Sequence, residues 1–406
     1  MATEVFLHIG PPKTGTTYLQ DVLWANRKTL RGQDLLVPGP SPVSQFHAVV
    51  DLLERDTTGL GVPSTAGAWQ GLLGTIRAWD GRVVVSHENL GFASSDQVAR
   101  ARADLADVDV HILFTARSLT SVAPAAWQER LKNRSDASWA DFLAELGDDS
   151  WPNPFWRQHG GGALFDWAEG LPPERVHVVT VPPSGSRPEL LWERFAAVLR
   201  VDPASCSTDL PRSNESLGID EAAFLRHYNA GPGRDLSWPA YRVGVKHGLA
   251  MVLAQRPDKR RILVAGADAA LFRRRAEQLE QRIRSAGFDV VGELAELLDA
   301  DAGNTPAHDN DDADEQSLSR SATHAVDGLV RELADRQRRH REQLAERQAD
   351  TAQLRQEVAQ LRQELERVRA RLEQPLRQLA RQRMANRLPW ARRARAEAPS
   401  RDDGER

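Results

Sequence analysis

The sequence predicts an α/β fold, three layers built on a central parallel sheet, followed by an α-helical coiled coil. Three observations predict it. Short apolar runs alternate with helix-period segments up to about residue 300. A glycine-bearing turn separates the first apolar run from the first helical pattern. Beyond residue 325 the apolar period changes to an unbroken alternation of three and four.

Residues 5–7 read as the first strand, followed by Ile9-Gly10-Pro11-Pro12-Lys13-Thr14-Gly15-Thr16-Thr17 and then by Tyr18, Leu19, Val22 and Leu23 at helical spacing. Residues 83–85, after the turn at Asp80-Gly81, read as a buried strand, as do 111–114. A further strand spans 176–181, closed by Pro182 and Pro183. Helical patterns cover 44–55, 67–79, 118–134, 189–200, 219–230 and 268–286, the last stopped by Gly287.

These elements make one domain over 1–298. Residues 299–325 are apolar-poor and carry Asp309, Asp311, Asp312, Asp314 and Glu315, which predicts an acidic, disordered linker. A coiled-coil helix is expected over 326–382, its seam running through Val326, Val330, Leu333, Leu344, Leu354, Val358, Leu361, Leu365, Val368 and Leu372. Gln337, His340, Arg347 and Thr351 interrupt the seam, and Pro375 is expected to end or kink the helix. Residues 326–372 are therefore expected to self-associate or to take a partner helix, because their apolar stripe would otherwise face water. Residues 383–406, with Trp390 among Arg387, Arg392, Arg393 and Arg395, read as a basic flexible tail.

Net charge is −4 over 406 residues, so bulk attraction to nucleic acid is not expected. The single cysteine, Cys206, excludes an intramolecular disulfide and a cysteine-based zinc cluster. The first strand begins close to Met1, leaving no room for a secretory leader, and no apolar run approaches the roughly 20 residues of a membrane span. A soluble, cytoplasmic protein is the expectation.

The turn after the first strand has nearly the spacing of a P-loop, with Gly10 and Gly15 five apart, and a P-loop-type fold is the expectation. Yet Thr16 stands where a loop for ATP or GTP needs lysine, and the lysine lies inside the turn as Lys13. The basic residues are overwhelmingly arginine, the lysines being Lys13, Lys28, Lys132, Lys246 and Lys259. A compact ammonium in this turn suits a point contact with a phosphate oxygen.

Pro12-Lys13-Thr14-Gly15-Thr16-Thr17 resembles the 5′-phosphosulfate loop of the sulfotransferase family, whose donor is 3′-phosphoadenosine 5′-phosphosulfate (PAPS). The resemblance is to the bacterial branch and to carbohydrate and heparan-type members. It implies adenosine 3′,5′-bisphosphate as product, no required metal, and donor contacts at Pro12, Lys13, Thr14, Gly15, Thr16 and Thr17. Lys13 and the amides of Gly15 to Thr17 would neutralise charge on the departing phosphate.

The family also implies an arginine at a strand end for the 3′-phosphate, with a serine some eight residues later; here these positions hold Arg117 and Ala125. Ser118, Thr120 or Ser121 is left to supply the hydroxyl. Pro124, Trp127, Gln128, Glu129 and Lys132 resemble the helix that follows in bacterial members, with Glu129 and Lys132 available to the acceptor cleft and Trp127 to packing. Arg212, in Arg212-Ser213-Asn214-Glu215-Ser216-Leu217, is expected to approach the nucleotide.

The general base is expected at the carboxyl end of a neighbouring strand, where His87-Glu88 stands, with Glu88 preferred over His87. The acceptor would be a hydroxyl on a glycan or a small metabolite. Two rivals remain at this level: a P-loop nucleotide kinase or ATPase, and a non-catalytic nucleotide-binding scaffold assembled by its coiled coil.

Overall fold

The computed structural model describes residues 2–56, 64–148, 153–210, 216–264, 266–298 and 309–396. Its centre is a six-stranded sheet: β1 (Glu4–His8), β2 (Leu35–Leu36), β3 (Arg82–Ser86), β4 (Asp109–Ala116), β5 (Val176–Thr180) and β6 (Asp289–Val291). The spatial order is β2-β3-β1-β4-β5-β6, and every pairing is parallel. The strands are nearly continuous apolar runs because both faces are covered.

The pleat divides those runs between two cores. Val5, Leu7, Val83, Val85, Ile112 and Phe114 pack with Leu72, Leu73 and Ile76 of the helix Ala68–Arg77 on one face. Phe6, Val84, Leu113 and Val179 pack on the other face against Leu19, Val22 and Leu23 of the helix Thr16–Ala25, and against Trp192 and Phe195 of Leu190–Leu199. A third cluster joins Trp127, Phe142, Tyr241 and Phe272 from helices away from the sheet.

The strands expected at 5–7, 83–85, 111–114 and 176–181 and the six helical patterns all correspond to observed elements. β2 and β6, of two and three residues, are too short to leave a period in the sequence. The chain leaves β1 for β2 and β3 on one side, then passes over β1 to reach β4. The carboxyl ends of β1, β3 and β4 therefore meet at a topological switch point, where open parallel sheets bind ligands.

The chain divides into two units, Met1–Leu329 and Val330–Arg406. In the first, residues 309–325 depart from the expectation of a disordered linker. The carboxylate of Asp311 accepts from the backbone N–H of Trp139 (2.9 Å) and Ala140 (3.0 Å), capping the helix Trp139–Gly147, and pairs with Arg226 at 2.7 Å. Asn310 exchanges hydrogen bonds with the backbone of Leu263, while Ser321 and Ala325 are buried. The aspartates that resemble a solvated tract in composition act here as caps and ion partners. Residues 299–308 lie outside the described residues.

The long helix runs Glu315–Ala396, starting before Val326 and continuing through Pro375 and past residue 382. Pro375 therefore does not end it. Arg371, whose carbonyl loses its i+4 donor, is exposed and open to water. The backbone expected to be a flexible tail is helical as far as Ala396. No helix among the described residues is long and apolar enough to cross a membrane.

Candidate functional site

The turn from β1 into the helix Thr16–Ala25 holds two left-handed residues, Lys13 at φ 68° and Gly15 at φ 85°. Glycine adopts that conformation freely, whereas a lysine there costs about 1–3 kcal/mol and must be held by its surroundings. Arg117, immediately after β4, donates from Nη1 to the Lys13 carbonyl at 3.0 Å. Thr14 donates its hydroxyl to the Pro11 carbonyl at 2.7 Å and lies 2.6 Å from the Thr115 hydroxyl. The side chain of Thr14 is thus turned into the fold, leaving its N–H as the group it can offer a ligand. Gly15 caps the helix without a side chain, so the first-turn amides have no side-chain partner.

Beneath the turn lies His8, a buried residue that sequence reasoning missed. Its Nδ1 is 2.7 Å from the Ser86 hydroxyl, tying β1 to β3, and burial lowers its pKa to about 4. A methyl group on Gly10 would collide with His8 and the Thr115 hydroxyl. Gly10→Ala is accordingly expected to destabilise the fold by roughly 1–3 kcal/mol, read as a lower urea midpoint at unchanged m-value.

The Lys13 ammonium points toward the helix Leu119–Lys132, where it meets Glu129 Oε2 at 2.7 Å. Glu129 Oε1 accepts in turn from Lys246 at 2.9 Å, and Lys246 also donates to Asn133 at 2.8 Å. Lys246 comes from the π-helical segment Arg242–Leu249, a geometry frequent at functional sites. Burial alone would raise the pKa of Glu129, but Lys13 and Lys246 bring it down to about 2. The pKa of Lys132 is lowered, by burial first and then by the charges of Lys13, Lys246 and Lys259, with Glu129 opposing. Lys13 and Lys246 thus converge on the carboxylate of Glu129.

At the end of β3, His87 and Glu88 lie just past the strand rather than within it. His87 is the N-cap of the turn Glu88–Phe92, its Nδ1 accepting from the Asn89 N–H at 3.1 Å. Its pKa is lowered, chiefly by burial, with Glu88 opposing and Arg55 adding. Burial works to raise the pKa of Glu88, but His87, a hydrogen bond from Gln20 and neighbouring backbone leave it below the ordinary value. Gln20 donates to Glu88 Oε2 at 3.0 Å. His47 is half-buried on the helix Pro42–Leu52, and its neighbour Phe46 stacks near the His87 ring at 5.6 Å.

A cavity of about 710 Å³ opens beside the turn, lined by Pro12, Lys13 and Glu129 together with Phe92, Phe142, Phe155, Gln158 and His159. Arg130, Glu145 and Asp148 also line it, so aromatic rings and charged groups share its walls. Gln158 is 3% exposed and donates from Nε2 to the Gly91 carbonyl, while its Oε1 has no hydrogen-bond partner among the described residues. An orphaned buried acceptor of this kind needs a donor from elsewhere.

Of the expected site residues, the turn, Arg117 and the His87-Glu88 pair come together at the switch point. Ser121 lies in the first turn of Leu119–Lys132 with no side-chain hydrogen bond among the described residues, while Ser118 and Thr120 share one at 2.7 Å. Trp127 is buried edge-on against Trp139 and donates to the Ala137 carbonyl, so it packs the core. Arg212 lies outside the described residues. Glu129 lines the cavity, whereas Lys132 does not. Lys246 and Gln158 were missed; the rarity of lysine in this chain was the available signal for the first.

No protein-family model matches the chain, and none of the curated proteins matches it. Among solved structures it is similar to a sulfotransferase from Alicyclobacillus acidocaldarius, at 17% identity and a TM-score of 0.38, over 69% of this chain and 95% of that one. A likeness of that degree carries no argument about chemistry, which is read from the residues themselves.

Proposed function

We propose that the chain is a sulfotransferase that takes PAPS as donor and a hydroxyl-bearing small molecule as acceptor. The observation that carries this reading is Lys13: an ammonium in a glycine-bearing turn at a helix start, paired with Glu129 beside Lys246, where an ATP-binding loop would instead need lysine at Thr16. PAPS supplies an activated sulfuryl group. The residues that fit its phosphosulfate are Lys13 and the amides of Gly15, Thr16 and Thr17, with Pro12 beside them.

Arg117 and Ser121 are assigned to the 3′-phosphate in this reading, in which role Arg117, already bonded to the Lys13 carbonyl, would serve both ligand and turn. Arg212 is proposed for the nucleotide on the strength of its sequence alone.

In the proposed reaction the acceptor oxygen forms its bond to sulfur as the bond from sulfur to the departing phosphate oxygen breaks, and the hydroxyl proton passes to Glu88. The tautomer of His87 supports that choice. Because its Nδ1 accepts from Asn89, the neutral ring carries its proton on Nε2, which makes that nitrogen a donor rather than a base. Glu88 stays ionised at neutral pH and keeps Oε1 free of the Gln20 hydrogen bond. Lys13 would neutralise the charge that develops on the leaving oxygen.

The aromatic side chains of Phe92, Phe142 and Phe155 in the cavity beside Lys13 suit an acceptor with an aromatic or aliphatic body. A cytoplasmic setting agrees with the single cysteine, and the helix of the second unit is proposed to join chains as a coiled coil.

Calorimetric titration tests the donor assignment. Adenosine 3′,5′-bisphosphate is expected to bind at micromolar concentration without magnesium and to compete with PAPS. Magnesium-dependent binding and hydrolysis of ATP in its place would make the chain a kinase or ATPase. Glu129→Gln is expected to tighten bisphosphate binding about tenfold, equivalent to ~1.4 kcal/mol, since the carboxylate competes for Lys13. Weaker binding in that variant would make Glu129 a support for the lysine rather than a competitor.

A further inference from the structure

The second unit presents an exposed apolar stripe: Leu354, Val358, Leu361, Leu365 and Val368 are between 47% and 64% exposed. In heptad terms, Leu354, Leu361 and Val368 take the d position, and Thr351, Val358 and Leu365 take a. The flanking charges are sorted by sign. Asp350, Glu357 and Glu364 precede the three a residues, at position g, and Arg355, Arg362 and Arg369 follow the three d residues, at position e. We propose that this stretch forms a parallel, in-register, two-stranded zipper between two copies of the chain. The proposal rests on the reading that the helix self-associates, and adds the partner, the direction and the register.

Direction follows from which flanks meet. In a parallel pair, each g residue faces the e residue of the following heptad on the other helix. Asp350 then meets Arg355 of the second copy, Glu357 meets Arg362 and Glu364 meets Arg369, and the same three pairs recur with the copies exchanged. In an antiparallel pair g meets g and e meets e, setting carboxylate against carboxylate and guanidinium against guanidinium. The sorting is self-complementary, which selects a second copy over a different helix.

In two of the three heptads a β-branched residue, Thr351 or Val358, stands at a with Leu354 or Leu361 at d, the arrangement that favours two strands, while Leu365 at a and Val368 at d reverse it in the third. Asp350, Arg355, Arg362 and Glu364 form no ion pair with any described residue, so their charges are available to a partner. Upstream the pattern fails: Arg336 at g would face Arg341 at e, and His340 and Arg347 stand at d. The zipper is thus confined to about three heptads, ahead of Pro375.

Sedimentation equilibrium on the full chain tests this with two reversed variants, E357R/E364R and R362E/R369E. The unaltered chain should be a dimer, each variant alone should dimerise about 100-fold more weakly, and an equimolar mixture should recover a heterodimer. T351C should form an interchain disulfide under mild oxidation, because identical a residues face each other only in a parallel, in-register pair. The unaltered chain, whose Cys206 is buried, should form none. A monomer at tens of micromolar would overturn self-association itself. A dimer that withstands both reversals and yields no T351C crosslink would overturn direction and register while leaving association intact. A trimer or tetramer would overturn the strand number.

Discussion

Lys13→Ala is expected to lower kcat/KM for sulfuryl transfer by about 10³-fold, or ~4 kcal/mol of transition-state stabilisation, with little change in the unfolding midpoint. The stability half of this expectation follows from the turn. The Lys13 ammonium is partly exposed, and its contact with Glu129 is shared with Lys246, so removal leaves the carboxylate paired. Alanine would also inherit the left-handed φ of 68°, a small strain that Arg117 and Thr14 already hold in place. The catalytic half follows from position, since fixed positive charge counts most where charge develops. Lys13→Arg should recover only a small part of the loss, because a planar fork does not replace a point charge in so tight a turn. The measurement is a steady-state assay of PAPS turnover against an acceptor, beside a denaturant titration of the same preparations.

Glu88→Gln is expected to reduce kcat by about 10³-fold while leaving bisphosphate affinity unchanged, as befits loss of a general base. The amide can still meet Gln20, so the turn Glu88–Phe92 should survive. His87→Gln should cost far less, because the Nδ1 acceptor caps the turn and the Nε2 proton only donates. The pH dependence has a defined sign. With Glu88 as the proposed base, which must be ionised and whose pKa lies below the ordinary 4.5, the rate should stay flat on acidification until pH falls below that value. Loss of activity in His87→Gln with Glu88→Gln still active would make His87 the base instead, its lowered pKa then placing the fall in rate below pH 6.5.

The turn after β1 was legible because its parts are local: a strand end, two glycines, a lysine and a helix start fall within Ile9 to Thr17. The principal strands and helices were legible for the same reason, through their periods. What the sequence hides is pairing across distance. Glu129 stands 116 residues from Lys13, and Lys246 a further 117 from Glu129, joined only when the helix Leu119–Lys132 docks beside the switch point. Gln158 becomes informative only because its Oε1 is buried without a donor, a property of packing. The aspartates of 309–314 misled because composition cannot distinguish a solvated carboxylate from one that caps a helix, as Asp311 does.

The most direct test of the central claim is a crystal structure of the full chain with adenosine 3′,5′-bisphosphate. The 5′-phosphate is expected on the amides of Gly15 to Thr17, with the Lys13 ammonium about 3 Å from a phosphate oxygen and released from Glu129. A nucleotide bound elsewhere, with Lys13 still on Glu129 and no anion at the helix start, would contradict it.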